Sequence, residues 1–251
     1  MLPRIWIFDT YSIMLFIGVA VCLYVFYYYH KVNNSNKKYI YDLLLAGIAA
    51  IIVGLISAVC FQALFDHLKE NSDNGPLSMT FYGGLVGGAG AFLIIYFAII
   101  KRKYKESRFL EDILIPAPMG IAIAHAFGRI GCFMAGCCYG IETDSWLGVK
   151  FPNLEHNVYP TQLFEAIFLF LLFGLLAYFA FKRKSKYTLS IYLISYGIWR
   201  FLIEFIRGDD RGAYFLSLSP SQWFSIVALI IGALLAIILK KCLKNKEAHE
   251  K

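Results

Sequence analysis

The chain has 251 residues, of which 59% are hydrophobic, 17% aromatic and only 16% charged. A soluble domain carries about 25% charged residues, so this composition excludes an ordinary soluble protein and points to an integral membrane protein. The formal charge of +7 needs no nucleic acid as partner, because basic loops beside anionic headgroups account for it.

Taken in chain order, apolar runs close to the roughly 20 residues that a bilayer demands predict seven spans, at 12–29, 40–64, 80–100, 110–127, 160–181, 187–206 and 221–239. The expected fold is an all-α membrane protein, a single polytopic domain over 1–251. Pro116 and Pro118 interrupt the fourth run, which predicts a kinked or partly re-entrant element there. The first run has no basic n-region and no small-residue cleavage site, so it reads as a span rather than a removed signal. The segments 31–38, 101–108, 182–186 and 240–251 hold 3, 5, 4 and 5 of the 24 lysines and arginines. These alternate loops face the cytoplasm under the positive-inside rule, which puts the N-terminus outside and the C-terminal tail inside.

Four polar clusters fall on the outer side of this topology. TFYGGLVGGAGAF at 80–92 has small-xxx-small spacing that lets helices pack closely; its Tyr82 is either an interfacial aromatic or a site hydroxyl. HAFGRIGCFMAGCCYG at 125–140 leads out of the fourth span and places Arg129, just after that span, four residues beyond His125, on one face of any continuous helix. An arginine near the headgroup layer suits a phosphate, because its planar fork donates to two oxygens at once; the plainer reading is a snorkelling side chain. YPTQLFEAI at 159–167 opens the fifth span with Gln162 and Glu165 facing the same way. Glu165 is expected either to pair with an arginine of another span as a structural bridge or to serve a site. In YGIWRFLIEFIRGDD at 196–210, Arg200, Glu204 and Arg207 lie at i, i+4 and i+7 along one helical stripe. Arg200 falls inside the sixth span, where an unpaired charge costs several kcal/mol. Two arginines with one carboxylate form an anion cradle, while Arg200 with Glu204 alone is a structural pair.

In this order the four clusters resemble the prolipoprotein diacylglyceryl transferase family. FYGGLVGG is similar to its F-H-G-G-L-I-G element and GRIGCFMAGCCYG to its signature G-R-x-G-N-F-x-N-x-E-x-x-G. YPTQLFEA is similar to H-P-[ST]-Q-L-Y-E, and YGIWRFLIEFIR to Y-G-x-x-R-F-x-x-E-x-x-R. Tyr11, in YSIML, matches the family's Y-G-x-x-Y opening. The resemblance covers nearly the whole chain and implies the same seven-span, N-outside topology in a bacterial cell membrane.

It also implies an activity. Family members move the diacylglyceryl group of phosphatidylglycerol to the thiol of a prolipoprotein lipobox cysteine and release glycerol phosphate, without a metal or organic cofactor. Carried onto this chain, Arg129 and Arg200 hold the phosphate, Arg207 assists, and Glu204 orients the guanidinium groups. Gly131, Gly136 and Gly140 shape the pocket, with Tyr11 and Gln162 beside the substrate. Four positions depart from the pattern: Tyr82 and Tyr159 stand where the family has histidine, and Cys132 and Cys137 replace the signature Asn and Glu. His125 is the candidate for a displaced base, against a packed helix residue. Cys132, Cys137 and Cys138 read as a disulfide, as reactive thiols near Arg129, as a metal site with His125, or as packing. These departures keep two rivals open: a phospholipid-dependent transferase with another acceptor, and a non-enzymatic thiol or metal protein.

Overall fold

Inside a bilayer no water satisfies backbone amides and carbonyls, so a long apolar run is held as helix. The computed structural model describes residues 4–5, 8–68, 81–208 and 218–249, with the side chains at 4–8, 65–68, 81–82 and 245–249 outside the description. Among the described residues seven helices are long and apolar enough to cross a membrane: Thr10–Val32, Lys37–Leu64, Gly83–Lys103, Leu110–Ala135, Thr161–Lys182, Thr188–Ile206 and Pro220–Lys244. The all-α, seven-span expectation holds. In element terms the chain runs β1 (Arg4–Ile5), β2 (Phe8–Asp9), α1 (Thr10–Val32), α2 (Lys37–Leu68), α3 (Phe81–Ile95) and α4 (Lys101–Lys103). It continues through α5 (Ala117–Ala135), β3 (Val149–Lys150), β4 (Asn157–Val158), α6 (Thr161–Ala177), α7 (Thr188–Ile203) and α8 (Pro220–His249). Three single π turns, Tyr96–Ile100, Leu110–Leu114 and Tyr178–Lys182, sit where spans meet the Lys/Arg-rich loops.

The fourth span corrects the sequence reading. Pro116 precedes α5 and Pro118 lies in its first turn, where a missing N–H costs no helical bond. The interruption expected at the prolines is the turn at Ile115 and Pro116 between the π turn Leu110–Leu114 and α5, and α5 then runs unbroken to Ala135, well past the predicted end at 127. Arg129 and Cys132 sit on it, with His125, rather than beyond it.

The chain divides into two compact units. In the unit Tyr27–Arg108, α3 packs on α2 through its glycines. A Cβ on Gly54 would stand 3.0 Å from the Gly84 carbonyl oxygen, one on Gly88 would stand 3.1 Å from that of Ala50, and one on Gly87 would collide with Ser57. Ser57 Oγ donates to the Gly83 carbonyl (2.9 Å). Lipid tails are as apolar as leucine, so backbones this close are held by van der Waals contact more than by escape from water. At the basic end, Asp42 accepts from Lys103 Nζ (2.5 Å) and from the Tyr104 hydroxyl (2.8 Å). The glycine run at 80–92 is thus a packing device. Tyr82 lies in the first turn of α3, and its side chain is outside the described residues.

The second unit, Met1–Phe26 with Phe109–Lys251, contains α5 to α8 and most of α1. Gly18 lets α1 approach α5 so closely that a Cβ would stand 2.9 Å from the Ala124 carbonyl oxygen. Gly197 does the same for α7 against α8, 3.1 Å from that of Ser225. Met119, Ala122 and Ala126 of α5 and Leu169 and Leu176 of α6 are fully buried. Small residues on α5 bring α6 near enough for a short polar side chain of one helix to reach a charge on the other. That approach sets up the site.

Candidate functional site

Helix α5 ends in a turn that its sequence dictates. Gly136 adopts φ 74°, ψ 31°, the left-handed conformation that glycine takes without a Cβ penalty. The Gly136 N–H bonds the Phe133 carbonyl and the Cys137 N–H reaches back to that of Cys132, both at 3.1 Å. This six-to-one closure is a Schellman cap. The chain then enters an extended stretch at 139–143 that two partners clamp. On one side Gly140 N–H donates to Tyr159 O (2.8 Å), Tyr159 N–H to Ile141 O (3.1 Å) and Thr143 N–H to Asn157 O (2.9 Å). On the other, Ile141 N–H donates to Ile206 O (3.0 Å) and Gly208 N–H to Tyr139 O (3.3 Å). A Cβ on Gly140 would fall 2.5 Å from the Ile206 oxygen and 2.9 Å from both Thr161 and Tyr159, so the clamp closes only around glycine. Three motifs far apart in sequence meet in this ladder. An open cleft of about 370 Å³ on its loop side is lined by Tyr139, Ile141, His156 and Val158 and does not include the arginines.

Beneath the ladder lies one carboxylate with four partners. Glu165, on the first turns of α6, is 0% exposed. Its Oε2 stands 2.9 Å from Arg129 Nε and 3.8 Å from Arg207 Nη1, and its Oε1 is 3.7 Å from His125 Nε2. The Tyr196 hydroxyl donates to the same Oε1 at 2.8 Å, and the Tyr196 ring meets His125 edge-on at 5.4 Å between centroids. A second pair stands nearby on α7: Arg200 Nη1 lies 2.8 Å from Glu204 Oε2. Arg200 Nη2 donates to Ser221 Oγ (2.8 Å) and Ser219 Oγ donates to Glu204 Oε1 (2.7 Å). Buried charges persist only when paired, and each charge here has its counterpart. Among the described residues three arginines and two glutamates make up this cluster.

The proposed stripe of Arg200, Glu204 and Arg207 does not form. Helix α7 stops at Ile203, residues Glu204–Ile206 tighten into a 3-10 turn, and Arg207 is extended at φ −79°, ψ 140°. Arg200 consequently sits in the last turn of its helix and keeps Glu204. Arg207 turns away to Glu165 and to a bridge with Gly140. Glu165, expected as one arginine's partner, binds two and a histidine besides. Gln162 points elsewhere: its Nε2 donates to the Cys137 carbonyl (2.5 Å), and its Oε1 is buried without a hydrogen-bond partner. Tyr11 covers Gly131, where a Cβ would stand 3.2 Å from the tyrosine ring. The sequence reading did not single out Tyr196, Ser219 or Ser221. Tyr196 could have been found, because it stands one turn before Arg200 in a motif already marked.

The three cysteines gather at the Schellman turn. Their sulfurs lie within 4.8 Å of one another and all three are free. His125 is not among them; it belongs to Glu165. Cys138, in the loop, adopts φ 63°, and its carbonyl accepts from Thr161 Oγ1 (2.9 Å). Hydrogen bonds from Cys132 and Cys137, with the charges of Arg207 and Arg129 nearby, hold the Cys138 thiol well below its ordinary value.

These features define a multi-pass membrane protein whose charged groups converge on one buried carboxylate at the end of a helix. The profile of the family described as prolipoprotein diacylglyceryl transferase matches residues 4–238. The phosphatidylglycerol–prolipoprotein diacylglyceryl transferase of Clostridium tetani is 35% identical over 231 residues, covering 88% of this chain and 89% of its own. The second such transferase of Clostridium perfringens is 34% identical over 254 residues, with 96% and 94% covered, and that of Finegoldia magna is 33% identical over 236 residues, with 92% and 91% covered. The chain belongs to the prolipoprotein diacylglyceryl transferase family. Membership and the seven spans make it a multi-pass protein of the bacterial cell membrane.

Proposed function

We propose that this chain transfers the diacylglyceryl group of phosphatidylglycerol to the lipobox cysteine of a prolipoprotein. The observation that carries the reading is the convergence of Arg129, Arg200 and Arg207 on the buried carboxylates of Glu165 and Glu204. The donor is a phosphodiester whose leaving group is a phosphate. The thiol sulfur attacks the terminal glyceryl carbon, the carbon–oxygen bond to phosphate breaks, and the electron pair leaves on the phosphate oxygen. Charge therefore builds on oxygen as the bond breaks, and prepaid cationic donors aimed there lower the barrier without reorganising.

Arg129 and Arg200 hold the phosphate and Arg207 assists from the ladder. Glu165 and Glu204 fix their orientation, so Glu165 takes for Arg129 and Arg207 the role that Glu204 plays for Arg200. His125, 3.7 Å from the Glu165 carboxylate, accepts the thiol proton. Gln162 Oε1, buried without a donor, is an acceptor for a glycerol hydroxyl. Tyr11, Gly131 and Gly140 shape the walls. The Lys/Arg bias of the loops puts this end of α5 on the outer face, where a secreted prolipoprotein emerges.

The test is reconstitution in phosphatidylglycerol liposomes with a synthetic lipobox peptide, read by mass spectrometry. The reading predicts a diacylglyceryl adduct on the peptide cysteine and none on a Ser-substituted peptide. Folded protein that produces no adduct, or that modifies a small alcohol or amine instead, would show a different acceptor on the same scaffold.

A further inference from the structure

The cysteine trio stands beside the arginine cluster and has no part in holding it. We infer that Cys132, Cys137 and Cys138 form a three-thiolate site for a zinc-class ion whose fourth position receives the thiol of the acceptor peptide. The inference rests on the transferase reading and names how that site activates its nucleophile.

Geometry comes first. Zinc binds thiolate sulfur at about 2.3 Å in a tetrahedral array, which puts sulfurs roughly 4 Å apart. The three sulfurs here all fall within 4.8 Å of one another. They are positioned by backbone: the Schellman turn ties the Cys137 N–H to the Cys132 carbonyl. The carbonyls of Cys137 and Cys138 are then pinned from α6 by Gln162 and Thr161. Those pins hold Cys138 at φ 63°, a conformation that costs a non-glycine residue of order 1–3 kcal/mol and persists only where its surroundings over-determine it. Among the described residues no histidine or carboxylate joins the trio. Three protein ligands with an open position are the pattern of a catalytic zinc, not a structural one. Cys137 is the exposed member of the trio.

Charge and chemistry agree with this. Three thiolates and a divalent ion carry one negative charge, which sits favourably beside the arginine cluster. A coordinated thiol is deprotonated at neutral pH, so the acceptor arrives as thiolate in a chain where tyrosines, Tyr82 and Tyr159, stand at two family histidine positions. The step balances without an oxidant or reductant. The peptide S–H gives its proton to His125 on coordination, and the sulfur–carbon bond forms as the carbon–oxygen bond breaks with its electron pair leaving on the phosphate oxygen. The neutral thioether, a weak ligand, leaves the metal while the proton passes from His125 to the released phosphate monoester.

The experiment uses the full chain in phosphatidylglycerol nanodiscs, purified without a histidine tag. Elemental mass spectrometry is expected to find about one zinc per chain. Cys132→Ser, Cys137→Ser and Cys138→Ser should each weaken zinc binding by more than the 10–100-fold typical of losing a mere outer-shell partner, while Cys242→Ser leaves it unchanged. Cobalt-loaded wild-type protein, which needs no variant to fold, should show sulfur-to-cobalt charge transfer and tetrahedral bands that shift with the lipobox peptide but not with its Ser form. Failure to hold zinc or cobalt after loading, a disulfide within the trio in the active protein, or bands indifferent to the peptide thiol would each overturn the inference. Chelation should lower transfer by roughly 100-fold, the scale of a lost proton-transfer catalyst, and zinc should restore it. Metal-free protein at full rate would refute the inference and leave the transferase reading standing, whereas zinc-loaded protein with peptide-sensitive bands and no transfer would refute that reading alone.

Discussion

Glu165 has no exposed surface, yet it anchors Arg129, Arg207, His125 and Tyr196. Removing one member of a buried ion pair leaves the other charge uncompensated and costs about 3–5 kcal/mol. Glu165→Gln, nearly the same shape, is therefore expected to lower the thermal unfolding midpoint and to abolish transfer together. Glu165→Gln with a wild-type midpoint and rate would remove it from the account. Cys138 gives a second prediction at this scale. Its thiol is held low by its neighbours, so the thiolate exists above the depressed value and is lost only as pH falls through it. In metal-free protein its alkylation by iodoacetamide should stay fast from alkaline pH down past neutrality, where an ordinary thiol of pKa about 8.5 has already slowed. A rate falling tenfold per pH unit below 8 would contradict this. Arg129, Arg200, Glu165 and the cysteines were all legible as polar residues set in apolar sequence. Tyr196 was legible only through its place one turn before Arg200, and the serines on Glu204 and Arg200 were not, because a lone serine hydroxyl stands out neither by charge nor by spacing.

At the scale of elements, the fourth span and the ladder carry the lesson. Gly128 and Gly131 weaken a helix in water by up to about 1 kcal/mol each, which made a break after 127 the natural reading. Within a membrane the obligation to satisfy backbone amides outweighs that propensity, and α5 continues. The end of α7 was hidden for a different reason: nothing in FLIEFIRG announces a 3-10 turn, and Arg207 leaves the stripe only because the 139–141 strand is there to pair with it. Gly140 tests this arrangement. Gly140→Ala drives a methyl into the Ile206 carbonyl, Thr161 and Tyr159, and overpacking of this kind costs about 1–3 kcal/mol. Faster proteolysis of the 136–160 loop and a lower transfer rate are expected. Gly128→Ala, with no neighbour within 4 Å, should leave both unchanged; equal damage from the two would mean that helix propensity, not the clamp, is at stake.

For the whole molecule, the seven spans were legible because hydrophobic length is a strong signal and the bilayer admits few alternatives. Where helices touch was less so, since the glycine contacts of α2 with α3 and of α7 with α8 depend on which faces meet. The Lys/Arg distribution also predicts orientation: a tag after Lys251 should resist protease added outside intact spheroplasts, and rapid cleavage there would invert the topology and move the arginine cluster to the wrong face for a secreted acceptor. The central claim is that the arginines on Glu165 and Glu204 stabilise a departing phosphate. It is tested most directly by the rate of glycerol phosphate release from labelled phosphatidylglycerol by wild type, Arg129→Ala and Arg200→Ala, each confirmed folded. The account predicts a fall of about 100–1,000-fold for each alanine variant, the scale of losing one oxyanion donor; release at the wild-type rate by either would contradict it.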